Sequence, residues 1–338
     1  MMTLYAVLSD IHANLQALEA VVEDARRVAR REKAGKLHFV CLGDVVDYGP
    51  QPNECVAWVQ ENAELVVQGN HEKAVADPFP QAIYTILPSY RPITLWTRRE
   101  LEDEHRKVIG DWKFVHAAPP VLADFTLFHG SLAWGEDGYI HHVRAAGENL
   151  RRLKTDYGLF GHTHYQGYFV EEEFGKVVMA LACPERLPNR MDKWRPAEVG
   201  KWKALPEHGQ PALFNPGSVG QPRCHPYLTT AGIPGDNRAA YMLLKLNGSG
   251  RQFQFRRVAY DVKETVRRLR GIRWSERGSE AEGSSIYKDE ADAVRRAKDP
   301  LSEMLTETLD QMPERLSALV EGTLIPTITG EMADDWRW

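Results

Sequence analysis

An α/β fold is what this 338-residue chain predicts, and three observations predict it. Short apolar runs at residues 4–8, 37–42, 65–67, 125–128 and 159–160 each end in glycine or polar residues, as a buried strand does where it enters a loop. An amphipathic helical pattern separates the first two runs, giving a βαβ unit with a parallel crossover. Five polar clusters stand directly after the five runs, where ligand sites of open α/β sheets lie beyond the carboxyl ends of strands.

In chain order, the run at 4–8 is followed by Leu15, Leu18, Val22, Ala25 and Ala29 at helical spacing, with Glu19, Glu23, Asp24, Arg26 and Arg30 on the other face. The second strand, 37–42, precedes a helix over 53–60 and a third strand at 65–67. The polar stretch 74–114 holds one helix around 98–108. A further helix over 143–153 leads into the strand at 157–160. Alternating runs at 239–246 and 252–260, joined through Asn247-Gly248-Ser249-Gly250, read as an antiparallel hairpin. Asp261 then caps a helix with Glu264 at its third position. Two segments read as additions to a catalytic domain spanning 1–270. One is an insertion at 183–210, rich in Pro, Lys and Trp, which would form a lid over the cleft or an interface. The other is an acidic C-terminal extension, 271–338, with Leu301, Leu305, Leu309, Met312, Leu316 and Leu319 on one helical face. Either segment is a candidate surface for homo-oligomerisation.

Composition narrows the class. Hydrophobic residues make up 43% and charged residues 26%, ordinary values for a globular protein. The first ten residues lack the basic n-region of a signal peptide, and no apolar stretch has the roughly 18 residues of a membrane helix. The four cysteines form no C-x-x-C pair, which fits free thiols in a reducing cytoplasm. A cytoplasmic location without membrane attachment is the expectation. From residue 271 onward there are 15 acidic and 8 basic residues, net −7, leaving 32 acidic and 34 basic in the rest, net +2. Such a chain has no basic stripe for a nucleic-acid backbone, which argues against nucleic acid as the main partner.

The clusters are Asp10-Ile11-His12, Gly43-Asp44-Val45-Val46-Asp47, Gly69-Asn70-His71-Glu72, His129-Gly130 and Gly161-His162-Thr163-His164. Asp and Asn offer hard oxygens and His a borderline nitrogen, a thiolate-free set suited to Mn, Fe, Zn, Co or Ni. A carboxylate can bridge two such metals, which together acidify a bound water and neutralise charge at phosphorus. Singly, each cluster also reads as a turn, a loop cap or a satisfied histidine; the weight lies in their joint order. His38, His105, His116 and His208 lack that context and read as solvated, whereas His141, His142 and His225 fall in loops that border the cleft.

These blocks resemble the calcineurin-like metallophosphoesterase superfamily, whose pattern is D-x-H, G-D-x-x-D, G-N-H-[DE], H and G-H-x-H. The small bacterial and archaeal phosphoesterase branch is especially similar, through the segments beginning at Ser9, Gly43 and Asn215, the last running Asn-Pro-Gly-Ser-Val-Gly-Gln-Pro-Arg to Arg223. The resemblance implies a four-layer α/β/β/α sandwich of two mixed sheets. It implies two divalent or mixed-valence transition metals (Mn, Fe, Zn or Ni), one held by Asp10, His12, Asp44 and His164. The second would be held by the same Asp44 with Asn70, His129 and His162. His71 would face the leaving group, either as general acid or by stabilising charge on phosphorus, oriented by Asp47, and Arg223 would reach a substrate phosphate or form a surface or structural salt bridge.

The implied activity is hydrolysis of phosphate esters by metal-activated hydroxide, with small phosphodiesters or nucleotides favoured as substrates. A phosphomonoesterase or protein phosphatase of the same family is the alternative. A non-catalytic protein-binding scaffold is the reading from another class, and the complete ligand set argues against it.

Overall fold

Alternation along each strand decides which way its side chains face, and here it builds two apolar faces per sheet. A computed structural model describes residues 2–77, 91–172, 176–183, 194–223, 236–247 and 250–272. The first sheet has six strands in the order β10-β13-β12-β1-β2-β3. These are β1 (Thr3–Leu8), β2 (Lys36–Cys41), β3 (Ala63–Val66), β10 (Lys203–Ala204), β12 (Ala239–Asn247) and β13 (Gly250–Val258). Strands β1, β2 and β3 run parallel, whereas β12 is antiparallel to β1 and forms the expected hairpin with β13.

The second sheet has seven strands in the order β4-β5-β6-β11-β7-β8-β9. They are β4 (Val115–Ala117), β5 (Phe125–Phe128), β6 (Tyr157–Leu159), β7 (Gly167–Glu171), β8 (Val177–Cys183), β9 (Trp194–Glu198) and β11 (Ala212–Asn215). Here β5, β6 and β11 are parallel and β7 is antiparallel to β11.

Tyr5, Val7, Val40, Leu42, Met242 and Leu244 of the first sheet pack against Phe125, Leu127, Leu159, Tyr168 and Phe214 of the second in one buried cluster. Phe214 and Phe253 meet across the layers, with ring centroids 4.9 Å apart. The alternate residues face outward. Ala6, Leu8, Phe39, Cys41, Tyr241 and Leu243 are covered by helices α1 (Leu15–Arg31) and α2 (Pro52–Asn62). Phe128, Phe169, Met179, Leu181 and Leu213 are covered by α6 (Val143–Leu150). Four layers result, as the resemblance implied.

The stretch expected to hold one helix around 98–108 contains two, α4 (Arg91–Glu100) and α5 (Asp103–Asp111). The break is stabilised by Asn53, whose Nδ2 donates to the Glu100 carbonyl (2.9 Å) while its Oδ1 accepts from Glu102 N (2.9 Å). A separate apolar cluster seats α4 through Ile93 and Trp96 against Tyr48, Ala74 and residues Val266 and Leu269 of α7 (Val262–Arg270). Asp261 caps α7 as expected, its Oδ1 accepting from Glu264 N at 3.0 Å.

The described part of the insertion is a strap along the sandwich edge rather than a lid. β9 borders the second sheet beside β8, the chain crosses at a Val199–Phe255 bridge, and β10 borders the first sheet beside β13. Trp202 anchors it: Nε1 donates to Glu32 Oε1 (3.3 Å), and the Lys245 ammonium lies 4.8 Å from the ring centroid. Glu32 follows the far end of α1 and Lys245 pairs with Leu4 at the start of β1, so this anchor is remote from Asp10 and His12. The rest of the insertion and the helical face expected at 301–319 lie outside the described residues. Among the described residues no helix is long and apolar enough to cross a membrane.

Candidate metal centre and active site

All five polar clusters converge at the carboxyl ends of the parallel strands, three from the first sheet and two from the second. The loop after β1 brings Asp10 and His12, that after β2 brings Asp44 and Asp47, and that after β3 runs into α3 (Asn70–Ala76) with Asn70 and His71. From the other sheet, the loop after β5 brings His129 and that after β6 brings His162 and His164. Backbone bonds sew these loops together: Asp10 N to Gly43 O (2.9 Å), His12 N to Asp44 O (2.9 Å) and Gly161 N to His129 O (2.9 Å). The Asn215 block closes the ring, with Val219 N on Ser9 O and Gly220 N on Asp10 O, both at 3.0 Å.

Convergence is reached through unusual backbone. Asp10, His12, Ala13, Asp44, Asp47, Tyr48, His162 and His164 all have φ between 48° and 75°. That left-handed region costs a side-chain-bearing residue of order 1–3 kcal/mol and gathers at functional sites, where the surroundings enforce it. Glu72 is one enforcer. Its Oε2 accepts from Asp44 N and Gly69 N (both 2.8 Å), and its Oε1 from Val45 N (2.7 Å) and Val46 N (3.1 Å). Gly69 is another requirement, because a Cβ there would stand 2.1 Å from Asp44 Oδ1.

The seven residues expected as ligands are all buried, and three overlapping groups of donor atoms form within metal-binding reach: Asp10, His12 and His164; His12, Asp44 and His71; and Asp44, His129 and His162. Nε2 of His164 lies 3.2 Å from Asp10 Oδ1 and 3.2 Å from His12 Nε2. Asp44 Oδ2 stands between the outer groups, 3.0 Å from His129 Nε2 and 3.9 Å from His12 Nε2.

The imidazoles are oriented from behind. Nδ1 of His12, His129 and His164 faces the carbonyls of Val46 (3.1 Å), Leu42 (2.7 Å) and Gln221 (2.7 Å). A carbonyl only accepts, so each Nδ1 carries a proton and each ring turns its Nε2 inward. The Tyr139 ring packs against His162 with centroids 4.1 Å apart.

Whether metals fit can be judged from the donors themselves. Asn70 Oδ1 and His162 Nε2 are buried without a hydrogen-bond partner, an expensive state for polar atoms unless they face a cation. The set is nitrogen and oxygen only, suited to divalent transition metals. The residues therefore fit a metal centre.

Charge follows the same layout. Burial, and then neighbouring histidines, hold His12 well below its ordinary value and bring His162 down to about 3. Burial and the Arg223 guanidinium also push His164 down. Burial disfavours the Asp44 carboxylate, yet the surrounding histidines, His129 first, hold it well below the usual carboxylate range. Burial likewise opposes the His129 imidazolium, but Asp44 pushes it up to about 10.

His71, which the sequence reading left out of the ligand set, shares a donor group with His12 and Asp44. Its Nδ1 donates to Asp47 Oδ2 at 2.7 Å, and its Nε2 points toward the centre, 4.0 Å from Asp44 Oδ2. Burial works against its charge, and Asp44 together with the Asp47 hydrogen bond raises it overall. Arg223 is at the rim: its backbone amide reaches His164 O at 3.5 Å, and its buried Nε has no hydrogen-bond partner. Of the other histidines, His142 caps α6 by accepting from Ala145 N at 3.0 Å. His105 and His116, expected to be solvated, are part-buried and bond Asn53 Oδ1 and Val66 O (both 2.9 Å); His38, also part-buried, pairs with Glu64, and only His208 of the four is exposed, beside Asp156. His225 lies outside the described residues.

Sequence reading missed three contributors. Tyr139 had no motif to mark it. Thr94 and Thr97 sit in α4, whose pattern had suggested nothing about the site, yet both hydroxyls reach Asp47. Their spacing of three on a helix was the one available signal.

Comparison with known proteins places this geometry. Residues 4–166 match the sequence profile of the calcineurin-like phosphoesterases. A metallophosphoesterase of Sphaerobacter thermophilus superposes with a TM-score of 0.59 at 28% identity, covering 79% of this chain and 93% of that one. A hypothetical protein of Pyrococcus horikoshii shares the fold, with a TM-score of 0.55 at 18% identity over 81% of this chain and 95% of its own. An uncharacterized protein of Methanocaldococcus jannaschii is 27% identical over 283 residues, 79% of this chain and 92% of the relative. With the profile match over residues 4–166, the two-sheet sandwich and the converging clusters in agreement, this part of the chain is a calcineurin-like phosphoesterase domain, that of a metal-dependent phosphoric ester hydrolase.

Proposed function

We propose that this protein is a dinuclear phosphoesterase whose preferred substrates are small phosphodiesters or nucleotides. The observation that carries the dinuclear reading is Asp44 Oδ2, placed between a donor group containing His12 and another containing His129. Asp10, His12 and His164 would hold one metal and Asn70, His129 and His162 the other, with Asp44 shared. Two bound metals would supply an acidified attacking water and neutralise charge on the phosphoryl oxygens.

The protein's own groups complete the reaction. His71, held protonated between two carboxylates, donates its Nε2 proton to the departing oxygen as the P–O bond breaks. Asp47 keeps the imidazole pointed at the centre through Nδ1. Arg223 binds a non-bridging phosphate oxygen with its free Nε–H. The diester preference is supported by the similarity to the small bacterial and archaeal branch rather than by the ligand set, which serves monoesters equally.

The test is Asp44→Asn, measured for metal content and for hydrolysis of bis-aryl diester against aryl monoester with Mn²⁺ supplied. Wild type should retain about two metals per chain and favour the diester, and the variant should lose metal and activity together. Undiminished activity in the variant would overturn the mechanism. Preference for the monoester would overturn only the substrate class.

A further inference from the structure

We infer that Thr94 and Thr97, from helix α4, are positioning residues that aim the proton donor of this site by clamping Asp47. The inference rests on the assignment of His71 as that donor. Asp47 is fully buried, and Thr94 and Thr97 are 1% and 0% exposed. The Asp47 carboxylate receives four hydrogen bonds, two per oxygen. Oδ2 accepts from His71 Nδ1 (2.7 Å) and Thr94 Oγ1 (2.5 Å), and Oδ1 from Thr97 Oγ1 (3.1 Å) and Tyr48 N (3.3 Å).

The arrangement leaves the carboxylate no freedom to rotate. Residues three apart on a helix lie on one face, so the two hydroxyls approach as a pair from one rigid element. One holds the same oxygen that His71 uses, and the other holds the opposite oxygen. A carboxylate pinned on both oxygens fixes the azimuth of the imidazole it supports, and hence the line along which Nε2 points.

The clamp is itself fixed from behind. Ile93 and Trp96 of α4 pack into the apolar cluster that contains Tyr48, Val266 and Leu269. Tyr48 also meets His71 edge-on, with centroids 4.7 Å apart. Asp47 and Tyr48 both hold left-handed backbone, with φ of 75° and 64°. The loop alone would therefore let the carboxylate relax, and α4 opposes that relaxation. None of the five motif clusters contributes these hydroxyls, so the orientation of the acid depends on an element outside them.

A positioning role has a signature that a structural role lacks. Proton donation matters when the departing oxygen is strongly basic and matters little when it is weakly basic. The Mn²⁺-loaded full chain should be assayed on aryl phosphodiesters with leaving groups from 2,4-dinitrophenol to phenol, as wild type, Thr94→Val/Thr97→Val, Thr94→Ser/Thr97→Ser and His71→Ala. In the double Val variant we expect a loss of about 10- to 100-fold on the phenyl ester, part of what a general acid contributes, and under about threefold on the dinitrophenyl ester. The Ser variant should restore the wild-type dependence, and His71→Ala should show the same pattern more steeply.

Equal loss on both esters, or no loss on either, in the double Val variant overturns the clamp if His71→Ala still discriminates. A His71→Ala variant that loses both equally overturns the donor assignment itself. Should the double variant not fold, Thr97→Val alone removes one hydroxyl and should give a smaller change of the same kind. An independent readout is the His71 Nδ1 proton in the metal-free protein. Its NMR resonance, protected in wild type, should exchange faster with water once the hydroxyls are gone, and unchanged exchange contradicts the clamp.

Discussion

Buried histidines at this site are pulled in opposite directions, and the pulls have consequences for pH. His162 is brought down to about 3 from an ordinary 6.5. Below pH 6.5 the unfolded chain takes up a proton that the folded chain refuses, so stability falls as pH drops through that window. His12 and His164, also lowered, act in the same sense. His129 is raised from 6.5 to about 10, so its contribution is complete below pH 6.5 and is lost as pH rises toward 10. Burial pushes Glu72 up to about 7, which costs stability as pH rises from 4.5, so the metal-free protein should be most stable at or somewhat below pH 6.5, read as Tm against pH in the presence of chelator. His162→Gln should flatten the acid side and His129→Gln the alkaline side. Metal binding near neutral pH should release a proton from His129, visible as a buffer-dependent heat in calorimetry.

At the scale of elements, the loop after β2 has its shape because Glu72 of α3 gathers four of the backbone amides around it. Glu72→Ala orphans them, at about 1–3 kcal/mol per buried donor when no other partner is found. We expect a stability loss of at least about 3 kcal/mol by chemical denaturation, with weaker metal binding. Glu72→Gln, which keeps two acceptor sites on one oxygen only, should lose less. A loss in Glu72→Ala no larger than that of a surface substitution, about 0.5 kcal/mol, would show that the loop holds itself.

What the sequence made legible belongs to this scale too. Residues 4–8, 37–42 and 125–128 are apolar apart from His38 and Thr126 and lead into motif residues, so strand and site announced each other. Strands β7 and β11 went unread because Gly167 and short runs such as Ala212–Asn215 give no period of their own; they are strands because neighbours supply the ladder. The split between α4 and α5 was hidden because Asn53, 47 residues earlier than Glu100, caps it. Thr94 and Thr97 were hidden for a like reason: a hydroxyl's role depends on which carboxylate tertiary structure brings to it.

For the molecule as a whole, the strap through β9 and β10 joins one pair of edges of the two sheets. Trp202→Ala removes its anchor on Glu32 and Lys245, and large aromatic truncations cost up to about 3–5 kcal/mol when fully buried. For this half-buried ring we expect about 1–3 kcal/mol, measured as a shift in denaturation midpoint, with kcat/KM retained because the anchor is far from Asp10. A variant that loses activity without losing stability would instead place the strap in communication with the site.

The proposed ligand atoms are divided between the two sheets, His12 and Asp44 arriving from one and His129 and His164 from the other. Neither layer can hold the centre by itself. Retention of metal thus gauges the alignment of the whole sandwich, and a slip of one layer against the other would register as lost affinity while each sheet kept its own strand pairing. The catalytic centre doubles as a sensor of tertiary register.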